Sequence, residues 1–457
     1  MKALRFFAAL PLLCVNLWAA SPAVNDAVLP ERVFPELEAI LKQAVQQSPR
    51  MLSRALDLEI AENSRIQARA ALLPSAGASF SLNKSRDKQE YVYSPTISSL
   101  ASYNVTTTPY AISVSQPLYH WGALRNAAHI GEIQASIAKG QYRDGYRLFA
   151  QTLRADYMRL IVQKLAVKRA AFYLEFSKNQ LVLEEARLVK KVISEAQIFM
   201  VRLAAEQAQI ASERAQFDFD MAKASFARLS GTAMLEDAAI PDALPVINYN
   251  AGAFDLLLAG FLIQKDLPTA EALTARKQLE IENLNYAIYK TRLWPKANAN
   301  IGVSQSVQRN LYGTIDSYSV TSLYAGISIS WSIFDGFYSG ALVRSSLARR
   351  RQMAADYAVL TAQLAQQAQT QVKQLNFSAR TMSISDRAAV SGLGRLKSQQ
   401  DEFARGSVSE ADVSLAQIAL FDAQINASNG RMEYLGRVGD FLGTVVEDPV
   451  VANVSDK

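Results

Sequence analysis

Hydrophobic and polar residues alternate strictly in four short segments of the chain. These segments predict strands at about 76–85, 110–119, 297–306 and 324–334. Alternation with a period of two is typical of strands that bury one face. Strands of about ten residues, apolar on one face and small and polar on the other, also suit a membrane β-barrel with a water-filled lumen. A soluble antiparallel sheet stays open as an alternative for each strand taken singly.

The alternation assigns two sets of side chains to opposite faces of the predicted sheet. The apolar set, expected to touch lipid, includes Ile112, Val114, Ile327 and Ile329. The polar set, expected to line water, includes Ser113, Ser115, Ser328 and Ser330. Aromatic residues near the strand ends favour the membrane interpretation, because such barrels carry aromatic girdles at the interface. These aromatic residues are Tyr119, Trp121, Trp294, Phe334, Phe337 and Tyr338.

Four strands from one chain cannot close a barrel, and open strand edges are not tolerated in lipid. Other copies must therefore supply the missing strands. The segments between the paired strands, about 86–108 and 307–322, are polar and rich in Tyr, Ser and Thr. We predict that they are loops facing the outside of the cell.

Two proline-free segments rich in Ala, Gln and Arg predict very long helices at about 123–192 and 338–404. About seventy helical residues span roughly 100 Å. Apolar residues recur at heptad-like spacing in both, which predicts packing against neighbouring helices as in coiled coils. These residues are Tyr146, Phe149, Leu153, Tyr157 and Leu160, and then Tyr357, Leu360, Leu364, Ala368, Val372 and Leu375.

A turn and a returning helix follow each long helix. The returning helices are predicted at about 195–230 and 410–443. Ser194 with Gln197, and Ser409 with Asp412, have the spacing of a capping box at a helix start. Gly406 lies just past the second long helix, where a left-handed C-cap favours glycine.

The two turns belong to a duplication of the whole chain. Ser194-Glu195-Ala196-Gln197 recurs as Ser409-Glu410-Ala411-Asp412 at an offset of 409 − 194 = 215 residues. The second strand of each half follows the same offset, while the region of the first strands follows an offset of 295 − 74 = 221 residues, from Pro74 to Pro295. We therefore predict a first repeat at 24–240 and a second at 241–444, each a helix, two strands, a long helix and a helix. Residues 445–457 are predicted to form a polar tail.

The N-terminus has the pattern of a secretory signal peptide, residues 1–23, with a charged start, an apolar stretch and small residues at the cleavage site. A cut after Ala20 is the alternative to one after Ala23. The only cysteine, Cys14, lies inside it. Cleavage leaves a chain without disulfides, thiol nucleophiles or cysteine metal ligands. No later apolar run is long enough for a membrane-spanning helix. The sequence pI of about 9.1 is only mildly basic, and no Lys/Arg run stands out as a nucleic-acid-binding stripe, so no nucleic-acid partner is predicted.

Candidate chemistry is sparse. His120 and His129 are the only histidines, and neither lies in a metal-binding motif. Gly392-Leu393-Gly394 lacks the third glycine of a nucleotide-binding loop. We predict no catalytic residue, no metal, no cofactor and no enzymatic activity.

Three motifs resemble those of the TolC family of outer membrane factors. Gly406-Ser407-Val408-Ser409-Glu410-Ala411-Asp412-Val413 is similar to the family's tip turn. Leu118-Tyr119-His120-Trp121-Gly122 and Ile333-Phe334-Asp335-Gly336 resemble its strand-to-helix corner. Ser48-Pro49 and Leu267-Pro268 stand where the family usually has Asn-Pro. The resemblance covers essentially all of the mature chain.

The resemblance implies a mainly α fold with membrane β: a homotrimer whose twelve-stranded barrel continues as a periplasmic α-helical coiled-coil barrel. It implies an exit duct in the Gram-negative outer membrane for efflux or type I secretion. The partners would be outer-membrane lipid, a periplasmic adaptor and an inner-membrane pump or ABC transporter. A periplasmic adaptor or a coiled-coil adhesin without channel activity is the alternative. The exported substrate cannot be inferred.

The resemblance also suggests a gate at the periplasmic tip. Asp412 matches an acidic position whose three copies would form a ring on the pore axis, while Leu415 replaces a second acid found in the family. The capping box with Ser409 is an equally good explanation of Asp412.

Overall fold

A computed structural model describes residues 29–264, 266–310, 317–445 and 448–454. The predicted signal peptide, with Cys14, lies outside these residues. The chain divides into two compact units. The helical unit comprises Met1–Ser53, Arg143–Thr269 and Thr361–Lys457, and the sheet unit comprises Arg54–Tyr142 and Ala270–Leu360. Each predicted repeat therefore contributes to both units, and the sequence boundary near residue 240 does not separate them.

Nine α-helices are formed by the described residues. They are α1 Pro30–Val33, α2 Pro35–Gln47, α3 Pro49–Ala70, α4 Ala123–Val189, α5 Glu195–Ser230, α6 Ala251–Ile263, α7 Ala270–Lys290, α8 Tyr338–Ala404 and α9 Glu410–Val445. A 3₁₀ helix follows at Pro449–Asn453. The long helices and the returning helices are confirmed, with α4 ending three residues earlier than expected.

Five strands of the described residues form one antiparallel sheet. They are β1 Ser75–Phe80, β2 Asn83–Ser94, β3 Ile97–Tyr119, β4 Lys296–Asn310 and β5 Tyr318–Ser330. The order is β1-β3-β4-β5, and β2 also pairs with β3. β1 and β2 lie along the same edge of β3 in one unbroken register, from Ser75 opposite Ser115 to Asn83 opposite Thr107. The sheet is thus four strands wide.

Proline explains the gap between β1 and β2. Pro109 lies in β3 opposite Ser81 and has no backbone N–H to donate. Its carbonyl still accepts from the Ser81 N–H at 3.0 Å. One ladder bond is therefore missing, and the edge strand is interrupted without losing its register.

The prediction of a loop at 86–108 was wrong. Residues 86–94 continue β2, and β3 begins at Ile97, so that only Pro95 and Thr96 form the turn. The predicted loop 307–322 is also shorter, because β4 reaches Asn310 and β5 begins at Tyr318. Ser, Thr and Tyr support strand pairing without hydrophobic alternation, so the pattern did not reveal these extensions. The strand predicted at 324–334 ends at Ser330, where the chain turns towards α8.

Heptad packing holds the helical unit together. The α4 residues Tyr146, Phe149, Leu153 and Tyr157 are all fully buried. Tyr157 packs against Phe34 and Phe226, with ring centroids 5.5 and 6.0 Å away. The predicted α8 positions from Leu364 to Leu375 are buried as well. Burial of each such large side chain contributes about 1.5–3 kcal/mol.

The prediction of a polar C-terminal tail was also wrong. Arg154 of α4 is 3% exposed and binds two carboxylates. Its Nη1 donates to Asp448 Oδ2 at 2.7 Å, and its Nε donates to Glu31 Oε2 at 2.8 Å. A buried guanidinium requires such partners. Asp448 therefore packs inside the helical unit. Val450 of the 3₁₀ helix, two residues later in the chain, is also buried.

Candidate functional site

The sheet places the two predicted sets of strand residues on opposite faces. Ile112 pairs with Val303, and Ile327 pairs with Ala299, so apolar residues form continuous rows across the strands. Because successive side chains point to opposite faces, the serines between them share the other face. The apolar set is Ile112, Val114, Ile327 and Ile329, and the polar set is Ser113, Ser115, Ser328 and Ser330.

The apolar face lacks a cover within the sheet unit. Ile112 is 58% exposed, and Ile327 and Ile329 are 70% and 71% exposed. A contiguous set of exposed aliphatic side chains of this kind marks a surface that meets protein or membrane.

A ladder of uncharged hydrogen bonds crosses the polar face. Ser115 Oγ donates to Asn300 Oδ1 at 2.8 Å, and Asn300 Nδ2 donates to Ser328 Oγ at 2.7 Å. Asn298 Oδ1 lies 2.9 Å from His120 Nε2 near the end of the same face. Asn300 therefore joins Ser115 and Ser328 through uncharged groups, while Lys296, which pairs with Ser330, places one positive charge on the same face.

The chain leaves each half of the sheet through a tight corner with two residues in the left-handed region. In the first corner these are Trp121 (φ 56°) and Gly122 (φ 80°). In the second they are Gly336 and Phe337, both at φ 66°. Such a pair fits a type I′ turn, in which glycine is favoured at both central positions. Each corner therefore carries one strained aromatic residue, at a different position of the pair.

Contacts of Trp121 offset its strain. Its Nε1 donates to the carbonyl of Pro295 at 2.6 Å. The ring makes edge contacts with Tyr119 and Trp294, at centroid distances of 4.8 and 4.7 Å. Three of the predicted girdle aromatics thus form one cluster at the corner. Phe337 is 80% exposed and contacts Phe334 at 5.3 Å.

Both turns between long and returning helices are built on the same cap. In each, a residue in the left-handed region follows the long helix, Lys191 at φ 58° and Gly406 at φ 76°. Two backbone bonds then close a Schellman motif. The bonds are Lys191 N to Leu188 O (2.8 Å), Val192 N to Arg187 O (3.0 Å), Gly406 N to Phe403 O (2.8 Å) and Ser407 N to Glu402 O (2.9 Å).

Both capping boxes form as predicted. Ser194 Oγ accepts from Gln197 N at 3.4 Å, and Gln197 Oε1 accepts from Ser194 N at 2.9 Å. Ser409 Oγ accepts from Asp412 N at 3.3 Å, and Asp412 Oδ2 accepts from Ser409 N at 2.9 Å. Behind the second turn, Leu396, Ala416 and Leu420 form a small buried cluster that joins the two helices.

Asp412 is exposed, and its carboxylate is held by Ser409. The Ser409 hydroxyl and backbone N–H both donate to it, and they lower its pKa below the usual 3.8. The carboxylate is therefore charged at neutral pH. Leu415, in the next turn, is 51% exposed. The cap is observed, and the gate remains a prediction.

Other chemistry is not evident in the described part of the chain. No group of three or more His, Cys, Asp or Glu side chains in it is placed to hold a metal ion. Among the helices described, none is both long and apolar enough to cross a membrane. His129 contacts Glu132 at 3.1 Å on the surface of α4.

Comparison with known proteins agrees with this architecture. Residues 40–232 match the family model described as outer membrane efflux protein. This match spans 193 of the 457 residues, and over it the chain resembles outer membrane efflux proteins. No curated protein matches the chain in sequence.

Solved structures support the same fold over both units. The Campylobacter jejuni CmeC outer membrane channel superposes with a TM-score of 0.65 at 12% identity, covering 92% of this chain and 90% of that one. The outer membrane protein VceC from Vibrio cholerae gives 0.60 at 16% identity, covering 91% and 97%. The open-state Neisseria gonorrhoeae MtrE channel gives 0.61 at 15%, covering 90% and 89%. At these identities the likeness shows the fold.

Sequence reasoning missed two features. Arg154 gave no signal, because its partners lie 123 and 294 residues away. Lys191 could have been found, because the 215-residue offset aligns it with Gly406 (406 − 191).

Proposed function

We propose that three copies of this chain close a twelve-stranded barrel in the outer membrane and continue as a helical tunnel in the periplasm. The assembly is a passive exit duct for an efflux pump or a type I secretion system. One observation carries the proposal: a sheet with an exposed apolar face, a polar face and two open edges.

The open edges support more than one copy. Within the described residues, the β1/β2 edge and β5 each pair on one side only. An exposed edge is an aggregation hazard in water and is excluded from lipid. Pairing β5 of one copy with β1/β2 of the next removes every edge when the ring closes. Channels of this family are generally trimers, and three sheets that are each four strands wide give twelve.

The assignment of the faces follows from the barrel. Lipid would contact Ile112, Val114, Ile327 and Ile329, while Ser113, Ser115, Ser328 and Ser330 would line the pore. The Asn300 ladder is uncharged, and Lys296 and Asp87, one charge of each sign on the same face, would give the barrel lumen little net charge preference. Selectivity would then lie elsewhere along the duct.

The partners we propose are a periplasmic adaptor and an inner-membrane transporter. The turn between α4 and α5 exposes large apolar side chains that an isolated hairpin would bury. Val189 and Val192 are 83% and 67% exposed, and Phe199 and Met200 are 62% and 63% exposed. Exposed apolar patches of this kind support a protein contact at this turn.

We also propose that Asp412 acts in a gate at the periplasmic tip. Three carboxylates on a pore axis repel one another unless cations bind between them. Ser409 holds each carboxylate in one direction, which supports a defined ring. Leu415 adds no charge, so the ring would carry one acid per copy.

Fractionation and electrophoresis test the duct. We expect the protein in the outer-membrane fraction, running as a heat-sensitive trimer in mild detergent and forming ion-conducting pores in planar bilayers. A soluble periplasmic monomer without conductance would contradict the proposal. It would favour the adaptor or adhesin alternative.

A further inference from the structure

Four basic residues lie on the apolar face of the sheet, beyond its aliphatic rows. They are Lys84, Arg86 and Lys88 of β2, and Arg309 of β4, and all four are exposed. We call them the basic cluster. Their place on this face follows from strand pairing, because Lys84 and Arg309 both pair with Thr106. Thr106 lies six residues before Ile112 in an uninterrupted β3 register, so both side chains share a face.

The spacing places this cluster at one boundary of the apolar belt. Lys84 and Arg309 flank β3, so their Cα atoms are roughly 10 Å apart. Arg309 lies twelve residues beyond Ala297, which starts the aliphatic rows of β4 near the corners. Twelve residues cover roughly 40 Å of strand, or about 30 Å across a bilayer at a tilt of about 40°. A hydrocarbon core is also about 30 Å thick.

The charge of this cluster is not neutralised within the described part of the chain. Among the described residues, no carboxylate forms an ion pair with any of the four. Arg86 Nε donates only to the hydroxyl of Ser102, at 3.2 Å. Glu90 is the nearest acid on the same strand face, while Asp87 faces the other way. Four bases and one acid leave a net charge of +3.

We propose that the basic cluster binds the phosphate groups of a phosphorylated glycolipid in the outer leaflet. This inference rests on the proposed function, which places the apolar face in lipid and the helical tunnel in the periplasm, and it takes the β2–β3 turn to face the outside of the cell. The strands connect to the helices at the end of the sheet opposite the β2–β3 turn. The basic cluster therefore lies at the outer boundary of the apolar belt.

Both parts of such a lipid match this face. Acyl chains would lie against the aliphatic rows around Ile112, and the phosphates would reach the bases just beyond them. Arg86 and Arg309 offer planar forks for phosphate oxygens, and Lys84 and Lys88 add mobile point charges. A free phosphate ion would use the charges and leave the adjoining aliphatic rows unused. The continuity of the two surfaces therefore favours a lipid.

Binding of defined lipids to the purified trimer tests this inference. Diphosphoryl lipid A and its dephosphorylated form are titrated in matched micelles against wild type and against a variant with Lys84→Gln, Arg86→Gln, Lys88→Gln and Arg309→Gln. The control variant carries Lys178→Gln, Lys373→Gln, Arg395→Gln and Lys397→Gln, four exposed bases of the long helices. We expect the phosphorylated lipid to bind the first variant at least about tenfold more weakly than wild type, with the control unchanged.

Three results would overturn it. One is equal binding of both lipids to wild type. Another is equal loss in both variants. The third is displacement of the lipid by millimolar inorganic phosphate, which would point to an ion site. Trimer formation and outer-membrane recovery are measured on the same samples. Failure of the wild-type protein to form a trimer or to be recovered in the outer membrane would count against the duct. A normal trimer of the first variant with unchanged lipid binding would count only against the basic cluster.

Discussion

The two predicted repeats build the same backbone at their tip turns and equip it with different side chains. The left-handed position is Lys191 in one turn and Gly406 in the other. The third capping-box position is neutral Gln197 in one and charged Asp412 in the other. The hydrogen bonds of the Schellman motif and the box are the same in both. Backbone geometry is thus kept where main-chain bonds define it, while charge is free to differ.

The long helices show the same contrast in their packing. At the 215-residue offset, Leu153 of α4 corresponds to Ala368 of α8, and Tyr157 corresponds to Val372; all four are buried. The larger α4 residues meet an additional layer, because Phe34 packs on Tyr157. Arg154 holds this layer, whereas its counterpart Gln369 is exposed. In the first repeat, Arg154 therefore binds residues near both ends of the described chain. The equivalent residue of the second repeat, Gln369, is exposed.

Replacing Arg154 by Met should produce the largest difference between the repeats. It leaves the buried Asp448 and Glu31 without their cation, which typically costs about 3–5 kcal/mol. Gln369→Met at the equivalent exposed site should stay within about 0.5 kcal/mol. Urea unfolding in detergent, followed by far-UV circular dichroism of the helices, gives both values. Similar losses at the two sites would show that the anchor contributes little.

Arginine at the middle of the apolar face should be costly in either repeat. Ile112→Arg and Ile327→Arg should each lose about 2–4 kcal/mol, because the guanidinium enters the hydrocarbon region. Ser328→Arg, on the polar face, should lose far less. Trimer yield and denaturant midpoints compare the three variants. A penalty for Ser328→Arg as large as that for its neighbour would refute the assignment of the faces.

Exchanging the left-handed residues should shift stability in opposite directions. Lys191→Gly should stabilise its turn by about 1 kcal/mol, and Gly406→Lys should destabilise the other by about 1–2 kcal/mol. The hydrogen bonds stay the same, so the effect is conformational strain alone. Protection of the turn amides against hydrogen exchange reports each change. Two shifts of the same sign would argue against equivalent caps.

The smallest expected effect is a pH dependence of stability that the charged capping box of Asp412 should show and the neutral box of Gln197 should not. The pKa of Asp412 is lowered by its bonds from Ser409, so its contribution to stability is present above the usual 3.8. That contribution is lost as the pH falls through the lower folded value. The box of Gln197 does not titrate. On acidification, hydrogen exchange should therefore speed up at the start of α9 and not at the start of α5.

The proposed gate predicts a separate effect of the Asp412 charge, on the block of the channel by cations. Single-channel recording of Asp412→Asn should show weaker block by multivalent cations with an unchanged trimer melting temperature. Gln197→Glu serves as the matched variant, since it adds an acid to the equivalent box. A less stable trimer with untouched cation block would leave Asp412 as a cap alone.

Sequence patterns predicted those parts of the fold in which one residue type repeats with a regular period. Alternation located the strands, and heptads and capping boxes gave the helix bounds to within a few residues. The extension of β2 and β3 lacked that period, because polar strands keep their ladder without alternating hydrophobicity. The Arg154 anchor joins segments far apart in sequence, and no local pattern reports such a contact. The basic cluster became visible only once the register aligned Lys84 with Arg309.

Cysteine labelling across β5 tests the barrel most directly. Single cysteines at Ile327, Ser328, Ile329 and Ser330 are treated, in intact outer membranes, with a small water-soluble thiol reagent. Wild type serves as the background, because its only cysteine is Cys14. The barrel predicts labelling at Ser328 and Ser330 and protection at Ile327 and Ile329. Equal labelling at all four positions, or labelling of the isoleucine positions alone, would contradict it.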